Sequence, residues 1–410
     1  MSAATPRKGD AGAMLRAVYS KADERAAARI HSIRDARRGA RRRLPSVVFD
    51  YVDGAADDEV TMQRNEAAFC RVTFRPKMAI GPVEPRLSTT VLDLPVDLPV
   101  LLAPGGLIRL LHPDGAAGAA RAAASRGTIS VLSTVAGSSI EDVTAAAAVP
   151  MWFQLYAAGG RSEADALCAR AAAAGVEVLV VTVDTPTLGN RERDVRHGVA
   201  PPLRVDAHNA VPLGVQVLAR PRWAAQLAAT GLRLSRRGAG PAGHGQGLLS
   251  AVASPFSWDD VAHFKEGWRG KLVVKGVLSG DDGRRAVAAG ADAVIVSNHG
   301  GRQLDGAPAT LDVLPEVVAA VGDTAEVLVD GGVRRGSHVV AALALGARAV
   351  LVGRPYLYGL GAAGQRGVER VLDVMAAEMR RTLVLLGCPS VGDLGPQWLG
   401  PPAQGERSGP

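Results

Sequence analysis

Eight short apolar runs, each followed by an Ala-rich helical stretch and nearly every one ending in polar or Gly-rich residues, predict a (β/α)8 TIM barrel of the α/β class. Near-continuous apolar runs are what parallel strands covered on both faces require. Eight βα units point to a closed barrel rather than an open sheet. An N-terminal helical extension and a long loop after the fourth strand complete the expected fold.

In chain order, residues 1–43 carry 12 Lys/Arg against 4 Asp/Glu, so the +7 net charge sits there and the rest is close to neutral. This segment reads as a solvated, partly helical and partly disordered basic arm, with an anionic membrane surface as a candidate contact. No aromatic platform interleaves with the charges, which argues against nucleic acid. Residues 44–97 read as short helices and a hairpin that close the barrel's mouth or base. The runs follow: PVLLAP (99–104), GTISVLS (127–133), MWFQLY (151–156), VEVLVVTVD (176–184), KLVVKG (271–276), DAVIVSN (292–298), EVLVDGG (326–332) and AVLVGR (349–354). More than eighty residues separate Asp184 from Lys271. Within them, 195–257 reads as an active-site lid or insertion, with a mobile middle at 233–249. Residues 391–410 read as a flexible tail.

Composition narrows the function classes. At 47% hydrophobic and 21% charged, 410 residues can bury a large core. Cys70, Cys168 and Cys388 lie far apart with no CxxC pair, so neither a disulfide framework nor a zinc site is expected, and a reducing cytoplasm fits. No run of about 20 apolar residues suggests a spanning helix.

GAGPAG (238–243) matches GxGxxG, but no strand precedes it and no helix convincingly follows, so it reads as a linker. Asp330-Gly331-Gly332-Val333-Arg334-Arg335-Gly336 after the seventh strand and Gly353-Arg354 after the eighth form a better phosphate site. Barrels often bind phosphate there, through Gly N–H groups and a helix N-terminus. His299 ends the sixth strand beside Gly300-Gly301, which allows close approach to a ligand, and Arg302 can clamp a carboxylate. On the same predicted face, Asp184 can orient an imidazole, Arg191 is a second anion anchor, and Lys275 adds a cation.

These residues resemble the FMN-dependent α-hydroxy acid oxidases and dehydrogenases, a family that includes glycolate oxidase, lactate oxidase, and the L-lactate and mandelate dehydrogenases. The matching segments are LPSVVFDYVDGAADD (44–58), FQLY (153–156), TVDTPTLGNRERD (182–194), VKG (274–276), SNHGGRQLDG (297–306), DGGVRRG (330–336), ALALGARAVLVGRP (342–355) and LLGC (385–388). The resemblance implies FMN as cofactor and residues 44–390 as the FMN-binding barrel. It implies His299 as base with Asp184 bonded to it. It implies Arg191, Arg302 and Tyr51 as the substrate carboxylate clamp, and Tyr156 near the hydroxyl and carboxylate. It assigns Ser133, Gln154, Thr182, Lys275, Ser297 and Gly105 to the flavin ring, and Asp330 to the ribityl chain. Gly332, Arg334, Gly353 and Arg354 go to the phosphate. A small 2-hydroxy acid substrate, oxygen or quinone as acceptor, and a homotetramer follow from the same resemblance.

Two departures bear on substrate. Ala103-Pro104-Gly105-Gly106 replaces a more usual Thr followed by Ala or Gly, and Val135 stands where glycolate oxidase has Trp, so a pocket larger than glycolate needs is expected. Arg220-Pro221-Arg222-Trp223 resembles a Pro-x-Trp stretch of the lactate and mandelate dehydrogenases. Here Trp223, Leu227 and Leu232 with Arg222, Arg233, Arg236 and Arg237 could form a basic interfacial patch at the inner membrane face, against the plainer reading of an ordinary lid helix. Two alternative readings are a relative acting on a peptide-derived or isoprenoid substrate, and a non-enzymatic FMN-binding protein. The intact His299, Arg302 and Arg191 set argues against both.

Overall fold

A computed structural model describes residues 20–81, 84–147, 150–156, 160–198, 207–229 and 256–401 of the chain. A short antiparallel hairpin, β1 (Thr89–Val91) and β2 (Leu94–Val96), precedes eight parallel strands. These are β3 (Val100–Leu102), β4 (Val131–Ser133), β5 (Trp152–Leu155), β6 (Val178–Thr182), β7 (Lys271–Val277), β8 (Ala293–Val296), β9 (Glu326–Val329) and β10 (Ala349–Val352). Each predicted run holds one of them, β7 extending one residue past its run to Val277. They pair in the order β3-β10-β9-β8-β7-β6-β5-β4. The ring closes between β3 and β4 through a single bridge, Leu102 to Ser130, where the Leu102 N–H donates to Ile129 O at 2.9 Å.

The apolar runs are continuous because both strand faces are buried. Along β6, Val178 and Val180 join an interior cluster with Leu101, Trp152, Val273, Ile295, Leu328 and Leu351. Leu179 and Val181 point the other way, into the layer between sheet and helices. Ser257 and Ser279 cap the helices Trp258–Gly267 and Gly280–Ala288 by accepting N–H groups three residues on.

The segment before the barrel closes both ends. Val91, Leu92 and Val96 of the hairpin extend the interior cluster, and Leu92 N–H donates to Glu326 Oε2 at 2.9 Å, at the start of β9. The helices Ser46–Asp53 and Val60–Cys70 lie at the opposite end, where the strands finish.

Three expectations are corrected. Residues 33–43 are not part of a solvated arm. Ile33–Arg43 is a helix with Ile33, Ala36 and Ala40 buried, packed so closely on the final helix (Arg354–Leu386) that a Cβ at Gly39 would lie 2.9 Å from the Ala362 Cβ. The arginines dominate its composition, but the buried residues recur at helical spacing and form an apolar stripe. The tail is ordered through 401: Trp398 is buried, its Nε1 donates to Asp393 O, and Leu399 pairs with Phe74. Trp223 is no interfacial anchor, because it is buried and its Nε1 donates to Leu110 O at 2.7 Å. Within the insertion, helices span Glu192–Arg196, Ala207–Leu218 and Pro221–Ala229. The expected mobile middle, GAGPAG, Leu232, Arg233, Arg236 and Arg237 lie outside the described residues, as do 1–19 and 402–410.

Candidate active site

The C-terminal strand ends open into a cleft of about 1080 Å³, part of it open to solvent. Tyr51, Gly105, Ser133, Tyr156, Arg191, Lys275, His299, Arg302, Asp330, Gly332, Arg334, Gly353 and Arg354 line it. The other singled-out residues, Gln154, Thr182, Asp184 and Ser297, are held at the same strand ends. The sequence-predicted set is therefore brought together as a whole.

His299 Nδ1 lies 3.1 Å from Asp184 Oδ1. Burial raises the Asp184 pKa, but His299 and Lys275 outweigh it and hold the carboxyl below its usual range, so it is ionised. An ionised carboxylate only accepts, so Nδ1 carries the proton and Nε2 keeps a free lone pair. Burial lowers the His299 pKa, and Lys275 and Arg191 add to that; Asp184 opposes without reversing it. The imidazole is thus neutral near pH 7. Gly276 makes room for Asp184, since a Cβ there would lie 2.7 Å from the Asp184 Cβ. His299 itself has φ +58°, a left-handed conformation that costs about 1–3 kcal/mol for a non-glycine residue and persists only where its surroundings enforce it.

Two guanidiniums meet in the same cleft. Arg302 Nη1 donates to the carbonyls of Tyr51 and Gly54, at 2.8 and 2.9 Å, and its Cζ stands 5.2 Å from the Tyr51 ring centroid. Burial, then the neighbouring Arg191, push the Arg302 pKa down to about 9. The Arg191 Nε is buried without a hydrogen-bond partner. Two half-buried, mutually repelling cations favour an anion between them. Burial pushes the Tyr156 hydroxyl pKa well up, so it remains a neutral phenol. Tyr156, Val135 and Leu188 form an apolar wall beside it. A Cβ at Gly106 would lie 3.0 Å from the Tyr51 hydroxyl and 3.2 Å from Val135 Cγ2.

The other half of the cleft holds unmet hydrogen-bonding capacity. Gln154 Nε2, Thr182 Oγ1 and Asp330 Oδ1 are buried without partners. Such groups cost about 1–3 kcal/mol each when left unpaired. An isoalloxazine ring and ribityl chain offer the carbonyls, ring N–H and hydroxyls that would satisfy them, so the residues fit FMN. Burial disfavours the Lys275 ammonium, but Asp330 (3.4 Å) and Asp184 outweigh it and raise its pKa, so it stays charged. Lys275 also donates to Ser297 Oγ at 2.9 Å. At the phosphate end, Gly332 has φ +78° and a Cβ there would collide with Asn65 O, so only glycine fits. Arg354 spends three N–H groups on the carbonyls of Val52, Gly54 and Gly300, which fixes its guanidinium beside the loop. Arg334 pairs with Glu66 at 2.8 Å.

Sequence reasoning missed the polar residues behind these walls, Asn65, Asn298 and Thr310, all buried. A signal was present for Asn65. It shares the buried stripe of its helix with Thr61, Ala68 and Phe69, a core position where a polar side chain needs partners.

The FMN-dependent dehydrogenase family model matches residues 40–401. An L-lactate dehydrogenase of Caulobacter vibrioides is 43% identical over 89% of this chain and 96% of its own length. A pre-mycofactocin synthase of Mycolicibacterium smegmatis is 40% identical over 88% of this chain and 92% of its own. Among solved structures, an (S)-mandelate dehydrogenase described as a monotopic membrane protein superposes with a TM-score of 0.82 at 36% identity, covering 91% of this chain and 99% of that one. Relatives at nearly equal identity carry different activities, so identity alone does not choose the substrate.

Proposed function

Because this chain belongs to the FMN-dependent dehydrogenase family and is an FMN-dependent 2-hydroxy acid oxidoreductase, we propose that it oxidises an L-2-hydroxy acid, with a side chain of lactate size or larger, to the 2-oxo acid. The observation that carries this reading is a neutral imidazole backed by a carboxylate (His299 and Asp184, 3.1 Å) in one cleft with two half-buried arginines, Arg191 and Arg302. A hydroxy acid needs a base for its hydroxyl proton and a clamp for its carboxylate. A substrate without a carboxylate needs no such clamp, and a binding protein without turnover needs neither.

Arg191 and Arg302 hold the carboxylate, with the Tyr51 and Tyr156 hydroxyls beside them. The substrate's side chain lies against Val135, Tyr156 and Leu188. His299 Nε2 takes the hydroxyl proton, and Asp184 stabilises the imidazolium that results. General-base assistance of this kind contributes about 10²–10⁴-fold. Bound FMN supplies the two-electron acceptor. Gly105, Ser133, Gln154, Thr182 and Ser297 would hold its ring, Asp330 the ribityl chain, and Gly332, Arg334, Gly353 and Arg354 the phosphate. Lys275 keeps a fixed positive charge at that end of the cleft, which is preorganised electrostatic stabilisation. Anaerobic mixing with L-lactate, L-mandelate and longer 2-hydroxy acids should bleach the flavin absorbance. No bleaching across the panel would overturn the substrate class.

Electrons leave to oxygen or to a quinone. Stopped-flow reoxidation of the reduced enzyme by each tells an oxidase from a dehydrogenase. The protein works in the cytoplasm at the inner face of the membrane. The support is the insertion helix Ala207–Leu218, where Val211, Val215 and Leu218 are 72%, 61% and 80% exposed at helical spacing. Sedimentation with anionic vesicles should be lost in V211D/V215D with turnover intact. A homotetramer is supported by exposed Met78, Ile80, Val384 and Leu385, which the Lys77 N–H to Leu386 O bond brings side by side. Sedimentation velocity measures it.

A further inference from the structure

We infer that Asn65, on the helix before the barrel, is a positioning residue for the His299 imidazole and acts through the side chain of Asn298. The inference rests on the reading of His299 as the base. Asn65 and Asn298 exchange two amide hydrogen bonds. Asn65 Nδ2 donates to Asn298 Oδ1 at 2.8 Å, and Asn298 Nδ2 donates to Asn65 Oδ1 at 2.9 Å. Both residues are buried, at 1% and 4% exposure.

The pair is fixed from outside as well. Asn65 Oδ1 also accepts the Thr310 N–H at 3.1 Å. Asn298 Nδ2 donates its second proton to Pro308 O at 2.9 Å, and Asn298 Oδ1 accepts the Gly301 N–H at 3.2 Å. Turning either amide over would set donor against donor or acceptor against acceptor at these contacts, so one arrangement is selected.

What this arrangement holds is the turn that presents the imidazole. His299, Gly300 and Gly301 are consecutive left-handed residues, with φ of +58°, +66° and +77°. No helix or strand supports that run, so local hydrogen bonds must. His299 N–H donates to Ser297 Oγ at 3.1 Å, and the Gly301 N–H donates to Asn298 O at 3.0 Å as well as to its side chain. Gly301 O in turn accepts the Ala56 N–H at 2.9 Å. The helix that carries Asn65 is pinned to the same loop, because the Thr61 N–H donates to the Asp305 carboxylate at 2.7 Å. A Cβ at Gly301 would lie 2.6 Å from Met62 N. The turn and the helix therefore form one unit, and Asn65 is its inner bolt. Asn65 does not touch His299, and it meets the cleft only from behind, where its backbone carbonyl packs on Gly332; the effect of its side chain is the aim of the ring toward Asp184.

Two readouts on the FMN-bound protein test this. One is the Nδ1–H signal of His299 in ¹⁵N-histidine-labelled protein, assigned by its absence in H299Q. The other is the single-turnover rate of flavin reduction by 2-hydroxy acid, per bound flavin. In N65A the signal should shift or vanish, and the rate should fall about 10–100-fold, the scale of a misplaced catalytic group. The FMN dissociation constant should change by less than the rate. N298A and N65A/N298A should match N65A, because the two side chains act as one unit. N65D keeps the volume but cannot donate to Asn298 Oδ1 when ionised, and it answers the same question where N65A fails to fold. An unchanged signal and rate, with only a lower melting temperature, would make Asn65 purely structural and overturn the inference. If no hydroxy acid reduces the wild-type protein, the proposed reaction fails, and the nitrogen signal alone still decides whether Asn65 positions His299.

Discussion

The two halves of the cleft differ in how far they are finished. Around His299, the groups that fix the turn are paired within the protein: the ring to Asp184, its N–H to Ser297, and Asn298 to Asn65 and Pro308, while Arg191 Nε on the substrate side is not. At the cofactor end, Gln154 Nε2, Thr182 Oγ1 and Asp330 Oδ1 are buried with no partner. The first half is built to keep a strained turn in place whether or not anything is bound. The second is built with valences that a bound molecule must complete. Base geometry and cofactor affinity should therefore be separable by mutation.

The largest effect should come from the finished half. H299A should lower the flavin reduction rate by about 10²–10⁴-fold and retain FMN. Loss of FMN, seen as a colourless protein after gel filtration, would break the separation. D184N should also slow reduction, because the amide no longer fixes the tautomer that frees Nε2. In the wild-type protein, kcat/KM should rise with pH as His299 loses its proton. Its pKa is lowered, so this limb lies below 6.5 and activity is level at neutral pH. A limb centred above 6.5 would mean that Asp184 outweighs burial.

A smaller and opposite effect is expected from the unfinished half. T182V removes a buried hydroxyl that has no partner in the protein. It should weaken FMN binding by about 5–30-fold, equivalent to about 1–2 kcal/mol. The melting temperature of the apoprotein should stay level or rise, since an unsatisfied group is gone. S297A, whose oxygen serves both Lys275 and the His299 N–H, should instead lower apoprotein stability. Equal and same-signed shifts in the two apoproteins would erase the contrast. Titration of apoprotein with FMN and thermal denaturation measure both.

The finished half was also the less legible one. The strands could be read because burial on both faces makes them apolar along their length. The residues at their ends could be read because polar groups at nearly every strand end converge on one face. The Asn65–Asn298 pair joins positions 233 apart, and no local period announces such a contact. Ile33–Arg43 was obscured because charge was counted without its spacing. Trp223 left two readings open, interfacial patch or lid helix, because an indole among arginines looks interfacial until its N–H partner, Leu110 O, is known.

A last effect, on stability and not on the reaction, sharpens the comparison from outside the cleft. Asp53 ends the helix that carries Tyr51, and it accepts from Arg37 at 2.5 and 2.8 Å, Arg193 at 2.9 Å and the Tyr358 hydroxyl at 2.7 Å. Burial pushes its pKa up, but the Arg37 and Tyr358 hydrogen bonds outweigh that and bring it down to about 2. A depressed folded-state pKa stabilises the fold above the unfolded value near 3.8, and that stabilisation is lost as pH falls toward 2. D53N should therefore cost about 2 kcal/mol near neutral pH, and the gap to wild type should close between about pH 4 and 2. Denaturant titrations at several pH values measure this. The acid limb of kcat/KM should not move in D53N, because Asp53 supports the wall of the cleft and not the imidazole. A shifted limb would show that the support of His299 reaches beyond the Asn65–Asn298 pair into the outer ion-pair network.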